Sequence, residues 1–196
     1  MKTRIKADFR NLCKNLGGFG AVLVCLPVIW GIFQGDKFNP VSYFLWSLLS
    51  VVCVVVLVRA GQGGYTIMIG YILSDFAIGA CAYYKDGRLS FGYFEAFVTT
   101  LTIMCLAMYV WCERRKKYGP AVIVCATAAI LAGVPQIVDS FNNPFQTSLL
   151  ICTLYSLISF LSYYGDKPTF EARLIPGLTI VYWLVIIVGV LYYRMV

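Results

Sequence analysis

The chain alternates long apolar runs with short polar breaks. The runs cover roughly 17–34, 41–58, 64–84, 91–112, 119–139, 145–164 and 174–194, and the breaks include GDKFNP (35–40) and GDKPTF (165–170). Each run approaches the ~20 residues a helix needs to cross ~30 Å of hydrocarbon. Charges collect in the breaks rather than in the runs, as expected where lipid solvates the segment and the backbone must satisfy its own hydrogen bonds. The pattern predicts an all-α integral membrane protein of seven transmembrane helices, with no break long enough for a soluble domain.

Composition agrees. The 196 residues are 60% hydrophobic and 13% charged, against ~45–50% apolar in soluble domains. The net charge of +7 would raise the question of nucleic acid in a soluble chain; here topology accounts for it, and no nucleic-acid partner is expected. With the amino end in the cytoplasm, twelve cations fall inside: Lys2, Arg4, Lys6, Arg10, Lys14, Arg59, Arg114, Arg115, Lys116, Lys117, Lys167 and Arg173. Only Lys37, Lys85, Arg88 and Arg194 fall outside. The positive-inside bias therefore predicts a cytoplasmic amino terminus and an outside carboxy terminus.

Residues 1–16 place Ile5, Phe9, Leu12 and Leu16 on one helical face among basic residues. That suits an interfacial helix on anionic lipid, with a plain topology anchor as the other reading. The basic start also mimics a signal peptide, but six further runs and no small-x-small site after Phe33 argue against removal. The ERRKK run at 113–117 reads as a topology determinant.

Several chemistries lack their residues. The chain has no histidine, which removes Ser-His-Asp and Cys-His pairs, the H-E-x-x-H zinc motif and histidine haem ligation. No G-x-x-x-x-G-K-[ST] or G-x-G-x-x-G occurs, and AGQGGY (60–65) reads as a turn. Eight cysteines lie mostly within the runs and never as C-x-x-C, so they read as small packing residues rather than a disulfide or zinc framework. No enzyme, cofactor or metal site is expected.

Asp75 stands out. In YTIMIGYILSDFAIGACAYY it has about ten residues on either side, which puts it near the midplane, where a charged aspartate costs about 2.5–3.5 kcal/mol on insertion scales. It either faces a cavity as a functional group or is a protonated, hydrogen-bonded core residue. Pro27 and Pro135 each interrupt a run and should kink it, and Gln136 could satisfy the carbonyl freed by the second kink. Trp46, Ser47 and Ser50, with Tyr155, Ser156 and Ser159, form two aromatic-hydroxyl sets at helical spacing. They read equally as a pocket lining or as small residues allowing close helix contact. Glu95 reads as close enough to the interface to stay wet, and Asp139 and Asn142 as residues of the outer mouth.

The chain also repeats itself. LWSLLS (45–50) matches LYSLIS (154–159), and AYYK (82–85) matches LYYR (191–194), both 109 positions apart. CLPVIW (25–30) faces GVPQIV (133–138), with the prolines 108 positions apart. On the 109 register, Asp75 corresponds to Leu184, beside Tyr182 and Trp183. The units are a first triple-helix bundle (17–84), a linker helix (91–112) and a second triple-helix bundle (119–194). An inserted single helix keeps the two triplets parallel, about an axis along the membrane normal.

This 3+1+3 plan, with VPQI (134–137) opening the second triplet, resembles the PQ-loop superfamily. That group includes the SWEET sugar transporters, vitamin carriers related to the nicotinamide riboside transporter, lysosomal amino-acid exporters and KDEL receptors. The first triplet departs from the motif with Val28 in place of glutamine, and the fourth run lacks a W-x-x-W. The resemblance is to a bacterial branch outside the named subfamilies and implies an inner (plasma) membrane location. It also implies that Pro27 and Pro135, with Gln136, act as hinges. A midplane substrate site would lie between the triplets, and Asp75, Trp46, Ser50, Tyr155, Ser159, Tyr182 and Trp183 are its candidates. The expected function is alternating-access transport of a small polar solute (sugar, amino acid or vitamin-like compound), facilitated or proton-coupled. The alternative is a non-transporting receptor that binds a peptide or partner protein in the same cavity. Expected partners are a small-molecule solute and membrane lipid, and homo-oligomerisation is left open.

Overall fold

A computed structural model describes residues 2–36, 38–61, 63, 65–145 and 147–195, with side chains from residue 7 onward except that of Asp139. The expected placements of the Lys2, Arg4, Ile5, Lys6, Lys37 and Asp139 side chains lie outside the described residues. The described residues form eight helical segments and no strand. They are α1 (Lys2–Leu23), α2 (Cys25–Gln34), α3 (Pro40–Arg59), α4 (Tyr65–Asp86), α5 (Tyr93–Arg115), α6 (Gly119–Asn142), α7 (Leu149–Gly165) and α8 (Phe170–Met195). Six stretches, counting Ala7–Gln34 as one, are long and apolar enough to cross a membrane, as in an integral membrane protein. The seventh, α7, has 17 residues, about 25 Å at 1.5 Å per residue.

Local chemistry sets several boundaries. Pro27 has no N–H to give the Leu23 carbonyl and its ring crowds that group; the hydrogen-bond ladder is interrupted at Val24, between α1 and α2, while Val24 itself keeps helical dihedral angles. α6 runs through Pro135 unbroken, so the two prolines, alike in sequence, differ in effect. A third helix-internal proline, Pro176, is fully buried in α8. Asn39 caps α3 by accepting from the Val41 N–H at 3.2 Å, ahead of Pro40 at the first helical position. Ser148 caps α7 in the same way through Ile151, which is why that helix starts at Leu149 rather than near 145.

Two expectations are corrected here. Residues 2–16 are not a separate interfacial helix: they are the first turns of α1, continuous with the span. Glu95 is 5% exposed rather than wet. Its Oε1 accepts from Asn39 Nδ2 and Ser42 Oγ, both at 2.6 Å, and its Oε2 from the Gly92 N–H at 2.8 Å. It caps α5 and ties it to the start of α3.

The packing order matters for the site. α4 lies between the first helix (α1 and α2) and α3, and α8 lies between α6 and α7. α1 runs along α7, α3 meets α6, and α5 covers α3 and α6 from outside. Close approach of α1 to α4 depends on Gly70, where a Cβ would fall 2.6 Å from both Ala21 Cβ and the Gly18 carbonyl oxygen. The main core draws on α1 and α3 to α8. A smaller second core joins Cys25, Val28 and Ile32 of α2 to Ile78 and Ala82 of α4. Outward faces carry exposed apolar side chains such as Leu73 and Phe76 of α4 and Val181 and Val188 of α8, as lipid-facing surfaces do and soluble surfaces do not.

Candidate functional site

α4 turns Met68, Tyr71, Asp75 and Ile78 to one side, at spacings of three and four that share a helix face. α8 answers with Ile175, Thr179, Tyr182 and Trp183. Between them lies a cavity of about 330 Å³, walled also by α2, α3, α6 and α7 and not by α5. It reaches the surface at Asp36 and Phe38, after α2, and at Thr147 and Ser148, before α7. Its far end is at Met68 and Ile175, near the starts of α4 and α8.

Asp75 is the eleventh of the 22 residues of α4 and lines this cavity, partly exposed to it. Among the described residues its carboxyl takes part in no hydrogen bond. It lies within electrostatic reach of Cys25, Tyr43, Tyr71 and Tyr155. Among the described residues no Lys or Arg lines the cavity, and the second charged lining residue is another carboxylate, Asp36 at the mouth.

The walls around Asp75 are aromatic. Tyr155 stacks on Trp183 with ring centres 4.6 Å apart and planes 5° from parallel. Tyr182 meets Trp183 edge-on at 5.0 Å, and Tyr71 lies 6.0 Å from Tyr155. Across the cavity Tyr43 meets Trp46 edge-on at 5.4 Å. The Tyr182 hydroxyl is 2.8 Å from Gln136 Oε1 and 3.0 Å from the Gly133 carbonyl oxygen. Gly133 is required there, because a Cβ would lie 2.6 Å from the Tyr182 ring. Gln136 therefore binds Tyr182 rather than the carbonyl freed by Pro135.

Of the candidates read from sequence, Asp75, Trp46, Ser50, Tyr155, Tyr182, Trp183, Pro27 and Gln136 all line the cavity. Ser159 does not. It is 0% exposed, donates to the Tyr155 carbonyl at 2.8 Å, and lies 3.3 Å from the Tyr71 hydroxyl, so it sits behind the wall and holds Tyr71. Ser47 likewise donates to the Ile72 carbonyl at 3.1 Å. Pro135 is not among the lining residues. Leu184 is 47% exposed on the outer face. Buried positions in α8 follow those in α4 at a spacing of 108: Ile67, Ser74, Ile78 and Ala82 correspond to Ile175, Tyr182, Ile186 and Val190. Trp183 thus takes the position opposite Asp75 that the 109 register gave to Leu184.

Sequence reasoning passed over Tyr71, Tyr43 and Asp36. The first two had a usable signal, standing one turn before Asp75 and three residues before Trp46 on the same helix faces. Asp36 was hidden in a polar break that reads as a connection.

The polar ends of the cavity are tied down. Lys85, at the end of α4, donates to the Ile32 carbonyl at the end of α2. Arg194, at the end of α8, donates through Nε at 2.9 Å and Nη2 at 2.8 Å to the Pro144 carbonyl, and through Nη2 at 2.8 Å to that of Thr147. No family model, curated protein or solved structure matches the chain, so its function is read from the chemistry of this cavity.

Proposed function

We propose that the protein is a carrier that moves a small cationic or hydrogen-bonding solute through this cavity by alternating access, with Asp75 as the group that meets the solute or exchanges a proton. The observation that carries the reading is the carboxyl itself, placed at mid-helix without a cation partner among the described residues. In a membrane interior such a group must take up a proton or a positively charged ligand. Aromatic faces around it add cation–π attraction. Access from one end and closure at Met68 and Ile175 correspond to one of the two states a carrier needs.

The 3+1+3 arrangement is supported by the packing order. Each triplet would keep its third helix in the middle, α1 on α7 would be answered by α6 on α3, and α5 would stand outside both. Lys85 and Arg194, 109 positions apart, each bind the outer turn of their own half. In this reading the break at Pro27 serves as a hinge.

The test is uptake into proteoliposomes of labelled quaternary and aromatic ammonium ions, neutral sugars and zwitterionic amino acids, with and without a proton gradient, for the wild type and Asp75→Asn. Cation uptake lost in the variant supports the reading. Binding without uptake by the wild type would move it to a receptor holding its ligand in the same cavity.

A further inference from the structure

A second cavity, of about 520 Å³, lies at the opposite end of the bundle, where α1 begins and the α3–α4 and α7–α8 turns meet. Unequal helix lengths create it. α7 stops at Gly165, which packs against Arg10 and Lys14 of α1, while α1 extends beyond that contact to Lys2. That contact brings Arg10 and Lys14, four residues apart on one face, to the same cavity as Lys167 of the α7–α8 turn.

The three cations are held but not neutralised. None of them forms a salt bridge among the described residues. Arg10 donates through Nη2 to the Asp166 carbonyl, which leaves its Nε buried with no hydrogen-bond partner. Lys14 Nζ rests 4.8 Å above the centre of the Tyr65 ring. Lys167 Nζ donates to the Gly61 carbonyl at 3.0 Å and bridges the two turns. The one carboxylate in the lining, Asp166, is 2% exposed and turned against the α3–α4 turn, where a Cβ at Gly63 would lie 3.4 Å from its Oδ1.

We propose that this cavity binds a phosphate group, gripped by Arg10, Lys14 and Lys167. A tetrahedral oxyanion offers several acceptors to converging guanidinium and ammonium donors, and a buried guanidinium N–H without a partner is completed by such a ligand. At ~30 Å³ per water molecule the space exceeds what a bare ion fills, so the phosphate carries a substituent. Both an anionic lipid headgroup and a soluble phosphate ester have this chemistry. The proposal is independent of any transport by the other cavity.

The test uses the full-length protein in neutral detergent, titrated separately with short-chain phosphatidylglycerol and with a soluble phosphate monoester, glycerol phosphate, while the thermal midpoint is followed. Wild type should be stabilised in a saturable manner. Lys14→Gln and Lys167→Gln should each weaken the apparent affinity about five-fold and leave the ligand-free midpoint in place. Arg114→Gln with Arg115→Gln, which removes charge from the same end outside the cavity, should bind as wild type. Should the Lys14 variant fail to fold, Lys167→Gln carries the comparison, since that exposed side chain makes one hydrogen bond. A response to the lipid alone assigns a headgroup; a response to the soluble ester alone assigns a free metabolite. No stabilisation by either, or equal loss in the Arg114/Arg115 control, overturns the proposal.

Discussion

The two cavities of this bundle have opposite chemistries. Among the described residues, the one between α4 and α8 has two carboxylates, six aromatic rings from Tyr and Trp, and no cation in its lining. The one at the start of α1 has three cations, a single tyrosine and one carboxylate turned aside. The difference follows from depth. A site inside the span is framed by helix faces whose residues must pack against neighbours, so its charge is rare and its walls are aromatic. At the start of α1 the long cationic side chains instead reach backbone carbonyls, as Arg10 and Lys167 do, or an aromatic face, as Lys14 does. One scaffold thus carries an acidic, aromatic lining and a basic lining in two separate cavities.

The largest expected effect tests that independence. Asp75→Asn should reduce cation uptake on the order of 100-fold while leaving phosphate binding at the other end unchanged; equal damage to both would mean that the two sites share one structural state. Next comes Gly133→Val, which drives a side chain into Tyr182 and should cost about 1–3 kcal/mol of stability as overpacking, read as a lower thermal midpoint. Glu95→Gln should cost about 1–3 kcal/mol by weakening charge-assisted hydrogen bonds in a buried cap, with solute affinity unaltered because α5 does not line the cavity. The smallest effect distinguishes cation–π attraction from shape. Trp183→Leu should weaken cation binding by about 0.5–2 kcal/mol, measured by titration calorimetry, and leave a neutral solute of the same size less affected.

Much of this was legible in the amino-acid order, because spans are written in runs and a lone carboxyl mid-run is conspicuous. Asp75 and most of the aromatic lining could be read from period alone. What escaped was set by contacts between distant segments. Ser159 looks like the counterpart of Ser50, yet its hydroxyl is turned to the Tyr155 carbonyl and Tyr71, a relation that exists only once α4 meets α7. Glu95 lies close to a polar break and reads as solvated until Asn39 and Ser42 arrive from α3. Pro27 and Pro135 share one sequence signature, yet the hydrogen-bond ladder is interrupted ahead of the first and runs on through the second. The one-residue change of register that puts Trp183 opposite Asp75 is likewise a property of burial, since apolar residues on neighbouring positions resemble each other in sequence.

The interruption of the hydrogen-bond ladder ahead of Pro27 sets off α2 as a segment with its own footing. It is ten residues long, about 15 Å at 1.5 Å per residue, and it stands on the small second core it shares with α4 rather than on the main one. The tip leads into Asp36 and Phe38 at the rim of the cavity. Val24 keeps helical dihedral angles (φ −64°, ψ −17°), so α2 continues the course of α1, and what fixes the rim of the cavity on this side is the separate set of contacts that α2 makes with α4.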